Sequence, residues 1–232
     1  MRPRLLDLFC GAGGAAMGYH RAGFEVVGVD IRPQPRYPFE FVQADALQVL
    51  RFYVDDAQPW EGCAERFDAI HASPPCQAHT ALSVMWNARE HPDLIALTRA
   101  LLGQTGLPYV IENVEGAPLK DPVRICGASV GLGTRTHELR RHRLFETNWP
   151  LIVPPCAHSG RPVLGVYGDH ARDRRRARSV ENGQFRAAEG LAMAREAFEM
   201  SWATWRDISQ AIPPAYTELI GHQLAQHLRV AA

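Results

Sequence analysis

The stretch Asp7-Leu8-Phe9-Cys10-Gly11-Ala12-Gly13-Gly14 decides the fold. Residues 4–9 read as a buried strand, the glycine cluster as a turn, and the residues from Gly14 to about Arg21 as a helix. A strand that passes through glycines into a helix lets backbone come close to a ligand, with N–H groups and the helix N-terminus facing it. By itself the turn fits two readings, a nucleotide-like cofactor site or a tight strand-to-helix connection.

Working outward, apolar runs at 25–30, 39–42, 67–71 and 109–114 read as four more strands separated by helical stretches. That alternation predicts an α/β fold with a doubly wound, Rossmann-like parallel sheet, whose carboxyl edge is where ligands sit. A helix is expected over 91–103, opening at Pro92 and Asp93, turning Leu94, Leu97, Leu101 and Leu102 to the core and stopping at Gly103. A closing helix over 213–228 should bury Tyr216, Leu219, Ile220, Leu224 and Leu228. Residues 147–190 are rich in proline and glycine and read as a loop-rich insert with one short strand at 163–167. The expected organisation is a cofactor and catalytic domain over 1–146, a small basic insert over 147–190, and C-terminal helices over 191–232 that pack back on the first domain.

The chain has 232 residues, 46% hydrophobic and 22% charged, enough to bury a core without disulfides or metals. Lys+Arg and Asp+Glu both number 25, which argues against a highly basic nucleic-acid coat protein and against an acidic disordered tail. The balance is uneven along the chain. Residues 1–134 are four units negative, 135–178 six units positive and 179–232 two units negative. Lys120 is the only lysine, which fits a coding bias first and a suitability for bidentate phosphate contacts second.

Cys10, Cys63, Cys76, Cys126 and Cys156 form an odd set without a CxxC pair, which fits reduced thiols. Cys156-Ala157-His158 lacks a second ligand pair, so no metal is expected there. No apolar window approaches the length of about eighteen residues that marks a membrane span, and no signal-peptide pattern opens the chain. A cytoplasmic monomer is expected.

Asp30 ends the second strand, where an acid accepts both hydroxyls of a ribose. Asp45 follows the third, where a carboxylate accepts from an adenine amino group or, equally, caps the helix that starts at Ala46. The turn lacks the G-x-G-x-x-G of pyrophosphate sites and carries Phe9, so an adenosine cofactor without phosphates, S-adenosylmethionine, fits it better. After the fourth strand, Pro74-Pro75-Cys76-Gln77 presents a thiol from a rigid turn; the alternative is a free loop cysteine. Glu112 ends the fifth strand, where burial should push its pKa up and let it share or donate a proton. A thiol nucleophile beside such an acid suits addition to an electron-poor pyrimidine ring.

Taken in order, these motifs resemble the cytosine-C5 DNA methyltransferase family. The resemblance implies a cofactor site of Phe9, Gly11, Gly13, Gly14, Asp30, Ile31, Asp45, Ala46 and Pro75, with Gln210 and Ala211 of the last motif, Gln210-Ala211-Ile212-Pro213-Pro214, returning to it. It implies that a cytosine flips out of double-stranded DNA, Cys76 adds to C6, Glu112 holds N3 and the exocyclic amine, and C5 takes the methyl group before Cys76 is expelled. Arg141-His142-Arg143 resembles the arginine pair that steadies the adduct, with phosphate contact or a surface ion pair as the alternative. Gln77 and the run Arg172, Arg174, Arg175, Arg176 and Arg178 would contact the nucleic acid, unless the run is simply a solvated face. The insert is shorter than the family's target-recognition region. That leaves RNA or a free nucleotide as another substrate, and a non-catalytic cofactor-sensing or DNA-binding module as another class.

Overall fold

A parallel strand with helices on both faces needs apolar side chains in both directions. The strand β1 (Arg4–Leu8) supplies them, with Leu5 packed into one core cluster and Leu6 and Leu8 into the other. The computed structural model describes residues 2–54, 66–75, 94–166, 185–187 and 190–231. Around β1 it assembles β2 (Glu25–Asp30), β3 (Glu40–Gln43), β4 (Ala69–Ala72), β5 (Tyr109–Asn113), β6 (Val123–Cys126) and β7 (His142–Thr147) into a seven-stranded sheet of order β3-β2-β1-β4-β5-β7-β6. The first five strands are parallel, while β7 runs antiparallel to both β5 and β6. The expected α/β sheet is therefore present, with strand ends shifted by one or two residues. β6 and β7 are additions that the apolar runs did not announce.

Helices α1 (Gly14–Arg21), α4 (Leu191–Phe198), α5 (Trp205–Gln210) and α6 (Pro214–Ala231) cover one face of the sheet, and α2 (Ala46–Val54) and α3 (Ile95–Gln104) the other. On the first face α1 and α6 touch through glycine. A Cβ at Gly18 would stand 2.1 Å from the Pro214 carbonyl oxygen, and the Thr217 hydroxyl donates to the Ala15 carbonyl at 2.8 Å. Tyr216, Ile220 and Leu224 are fully buried as expected, with Leu219 and Leu228 partly buried against them.

The α3 expectation needs correcting. Gly103 lies inside the helix, which ends with Thr105 as its cap, and residues 91–93 lie outside the described residues. Ile95, Thr98, Leu101 and Leu102 form the buried face, while Leu97 is 38% exposed. The sequence stripe chose a leucine where the packing chose a threonine.

Within 147–190, residues 149–153 lie against the rest of the chain. Trp149 is buried in the core, and Ile152 and the Gln223 side chain of α6 exchange hydrogen bonds at 3.0 and 2.8 Å. The expected strand at 163–167 is β8 (Val163–Gly165), which pairs in parallel with β9 (Phe185–Ala187). Among the described residues no helix is long and apolar enough to cross a membrane.

Candidate active site at the carboxyl edge of the sheet

The turn after β1 is built from left-handed backbone, with φ of 58° at Phe9, 50° at Gly11 and 81° at Gly13. Phe9 thus leaves the strand it was expected to end. A Cβ at Gly11 would meet nothing within 4 Å, so this part of the turn faces open space. Asp30 closes it from β2: Gly11 N–H donates to Oδ2 at 3.1 Å and Arg32 N–H to Oδ1 at 2.9 Å. Each oxygen spends one acceptor site on an amide and keeps capacity for a further donor. Beside it Ile31 is 66% exposed, an apolar surface next to the acid. An open glycine turn, a carboxylate with spare acceptor capacity and an exposed apolar side chain fit the diol and ring of an adenosine.

Other expected cofactor residues have structural duties. Asp45 Oδ1 accepts from Leu47 N–H at 2.8 Å, so it caps α2, whose first residue Ala46 is buried. A Cβ at Gly13 would lie 2.7 Å from Pro38 Cδ, and one at Gly14 only 2.2 Å from the Ile212 carbonyl oxygen. Gly14 is therefore needed where Ile212, the residue after Gln210 and Ala211, crosses the turn. Trp202, which the sequence reading passed over, donates from Nε1 to the Ala12 carbonyl at 2.9 Å and closes the turn from the same side.

Beneath the turn, Asp7 is fully buried and accepts from the Tyr37 hydroxyl at 3.3 Å. Burial pushes its pKa up to about 8, so the folded chain carries it as a neutral acid at pH 7. The Cys10 thiol is pushed up far more strongly by burial and by Asp7 and Asp30, which makes it a packing residue.

At β5, Glu112 and Asn113 are both buried. Arg143 Nε lies 3.0 Å from Glu112 Oε1. Burial raises the Glu112 pKa, while Arg143, a hydrogen bond from Ser73 and the more distant Arg141 pull it back. Asn113 Nδ2 donates to the Pro74 carbonyl at 3.0 Å and so fastens the Ser73-Pro74-Pro75 turn beside Glu112. Pro75 is exposed at the mouth of this edge. Cys76 and Gln77, which follow it, lie outside the described residues, as do Arg172, Arg174, Arg175, Arg176 and Arg178.

A buried polar chain supports the glutamate from below. His71 is completely buried and its pKa is pushed down to about 3, so the ring is neutral. Ser73 gives its hydroxyl hydrogen to Glu112, so its oxygen accepts from His71 Nε2–H at 2.9 Å, and His71 Nδ1 accepts from the Tyr19 hydroxyl at 3.0 Å. This arrangement satisfies every hydrogen in the chain and fixes the His71 tautomer. Nothing in the sequence singles out Tyr19 or His71 except a polar residue inside an apolar strand.

The structure separates the arginine pair. Arg143 turns to Glu112, but Arg141 is a buried strut, donating to the Ser209 carbonyl at 2.7 Å and lying over the Phe198 ring, 5.3 Å from its centre. Of the two, Arg143 faces Glu112 directly, while Arg141 reaches backbone carbonyls. One premise of the sequence reading, that no second ligand pair stands beside Cys156 and His158, needs correcting. Cys156 and His158 do have a ligand pair, because Cys126 and His142 approach them from β6 and β7.

This sheet, with five parallel strands, an antiparallel β7 and its site at the carboxyl edge, is the fold of Rossmann-like methyltransferases. A protein from an E. coli prophage assigned as a DNA modification methyltransferase superposes over 98% of this chain and 99% of its own, with a TM-score of 0.58 and 15% identity. An Entamoeba histolytica methyltransferase, EhMeth, covers 98% and 99% at a TM-score of 0.56 and 11% identity. The S. pombe Dnmt2 methyltransferase covers 99% of both chains at 0.54 and 12%. At such identities the likeness is one of fold. No protein-family model and no curated protein matches the sequence.

Proposed function

We propose that this protein is an S-adenosylmethionine-dependent DNA cytosine-C5 methyltransferase. The observation that carries the reading is the buried Glu112, paired with Arg143 and bonded to Ser73, at the end of the strand beside the turn that leads into Cys76. A carboxyl group whose pKa is raised can carry a proton at its operating pH. Protonated, Glu112 donates to the N3 acceptor of a cytosine, and its second oxygen accepts from the exocyclic amine. Arg143 stabilises negative charge that develops on the ring as a nucleophile adds. Cys76 supplies that nucleophile, adding to C6 and leaving once C5 has lost its proton.

Phe9, Gly11, Asp30 and Ile31 would hold the cofactor, with Asp30 taking the ribose hydroxyls. When bound, the cofactor supplies an electrophilic sulfonium methyl. The fold likeness to a DNA modification methyltransferase supports a DNA substrate, as does the positive charge of 135–178.

The test is covalent trapping. Duplex DNA carrying 5-fluorocytosine, incubated with protein and cofactor, should form an adduct stable to denaturation, and Cys76→Ser should form none. An equal adduct yield from the variant would overturn the assignment. Parallel filter binding to duplex DNA, tRNA and dCMP should favour the duplex; preference for either of the others would move the substrate, not the chemistry.

A further inference from the structure

Apart from the site at the sheet edge, one cluster of side chains stands out. Cys126 is the last residue of β6 and His142 the first of β7, and the antiparallel register places them directly opposite one another. Opposed residues project from the same face of a sheet. Cys156 and His158 lie two apart on the stretch between β7 and β8. The two pairs meet, and the four ligand atoms lie within 4.8 Å of one another.

Two sulfur to nitrogen distances match a coordination shell. Cys126 Sγ is 3.5 Å from His158 Nε2, and Cys156 Sγ is 3.6 Å from His142 Nε2. Zinc bonds of about 2.3 Å to sulfur and about 2.0 Å to nitrogen, set at tetrahedral angles, require a sulfur to nitrogen separation of about 3.5 Å. The surroundings also match. His142 turns Nδ1 to Glu115 Oε2 at 3.3 Å, which fixes the tautomer that leaves Nε2 free to ligate, the usual outer partner of a metal-bound histidine. The backbone amides of Ala128 and Ser129, in the short turn after β6, lie within hydrogen-bonding reach of the Cys126 sulfur.

We propose that Cys126, His142, Cys156 and His158 form a structural zinc site that fastens the 151–162 stretch to the β6–β7 edge. Two thiolates and two imidazoles in tetrahedral array select zinc over harder or planar-preferring ions, and four protein ligands leave no position open for catalysis. Binding releases the two thiol protons. In that stretch Leu151 and Val153 pack against the core while Ile152 is 80% exposed, and the zinc would add to the hydrogen bonds from Ser129 to Pro155 and from Ser159 to Glu138. The inference is independent of the substrate of the neighbouring site.

The whole protein, purified in the presence of a non-thiol reductant, should carry one zinc per chain by elemental mass spectrometry. Replacement by cobalt(II) should give the intense visible bands of a tetrahedral ion together with thiolate charge transfer. Cys156→Ser combined with His158→Ala, both at the chain's outer stretch, should lose the metal and the bands. Wild-type protein that is reduced, free of zinc and unable to take up cobalt would overturn the proposal. So would a zinc content unchanged in the double variant, or isolation as a metal-free Cys126–Cys156 disulfide that reduction does not convert to a zinc-binding form.

Discussion

Arg143 Nε stands 3.0 Å from Glu112 Oε1, an ion pair whose two side chains are only 14% and 8% exposed. A pair this enclosed is worth more to the state of the glutamate than to the stability of the fold. Its partner from the other side, Ser73, is held by the same turn that leads to Cys76.

Arg143→Ala should therefore move the Glu112 titration to higher pH, because burial, which raises the pKa, loses its main opponent. We expect kcat to fall by about 10²- to 10³-fold, as when one preorganised donor is removed. Arg141→Ala should behave differently. It removes the carbonyl contacts to Ser209 and Val166 and should cost about 3 kcal/mol of stability. Comparing pH–rate profiles and urea midpoints of the two variants checks both statements.

Asp7 makes the fold lose stability as pH rises from about 4 to about 8. Between about pH 4, where an unfolded aspartate titrates, and the folded value of about 8, the native chain holds a proton that the unfolded chain has released. Stability is thus fully present below that window and declines by at most about 1.4 kcal/mol per pH unit as pH rises through it, levelling above. Asp7→Asn cannot titrate and should flatten this decline. Urea midpoints of both proteins across the window measure the difference.

Two glycines in helices should respond in opposite directions to alanine. At Gly18 the new Cβ meets the Pro214 carbonyl at 2.1 Å and the Thr217 hydroxyl at 2.1 Å, so Gly18→Ala should cost about 3 kcal/mol or more. At Gly103 it meets nothing within 4 Å, and Gly103→Ala should stabilise by about 0.5–1 kcal/mol. Equilibrium denaturation of the pair tests the packing of α1 on α6 directly.

Asp30→Ala should weaken S-adenosylmethionine binding by about 10- to 100-fold, the loss expected for hydrogen bonds to a charged acceptor. It also releases Gly11 and Arg32 from the carboxylate that joins them. Calorimetric titration gives the affinity, and an unchanged value would remove Asp30 from the site.

The parallel half of the sheet was legible because buried strands are written as apolar runs and the β1 turn as glycines. β6 and β7 were not, since Val123–Cys126 is only four residues long and His142–Thr147 holds just two apolar residues, Leu144 and Phe145, between polar ends. Asp30 and Glu112 could be singled out because they lie at or next to strand ends, where the structure also has them. His71, Tyr19 and Ser73 were missed because their roles depend on hydrogen bonds across 52 and 2 residues of sequence, which spacing does not encode. The same holds for Cys126 and His142: strand register, not sequence interval, sets them opposite Cys156 and His158. Asp45 shows the converse limit, since one carboxylate after a strand serves a helix cap and a ligand site equally well by pattern.

The clasp between α1 and α6 has a kinetic side. Thr217 reaches Ala15 across 202 residues and Trp202 reaches Ala12 across 190, so the glycine turn and the first helix are finished by residues synthesised long after them. Contacts of such separation form slowly because a long loop must close before they contribute. A nascent chain halted before residue 202 would leave the Gly14–Gly18 face of α1 bare, an apolar surface open to aggregation or to a chaperone. Ribosome-arrested chains of increasing length should gain protease resistance in the β1–α1 unit only once α6 has emerged.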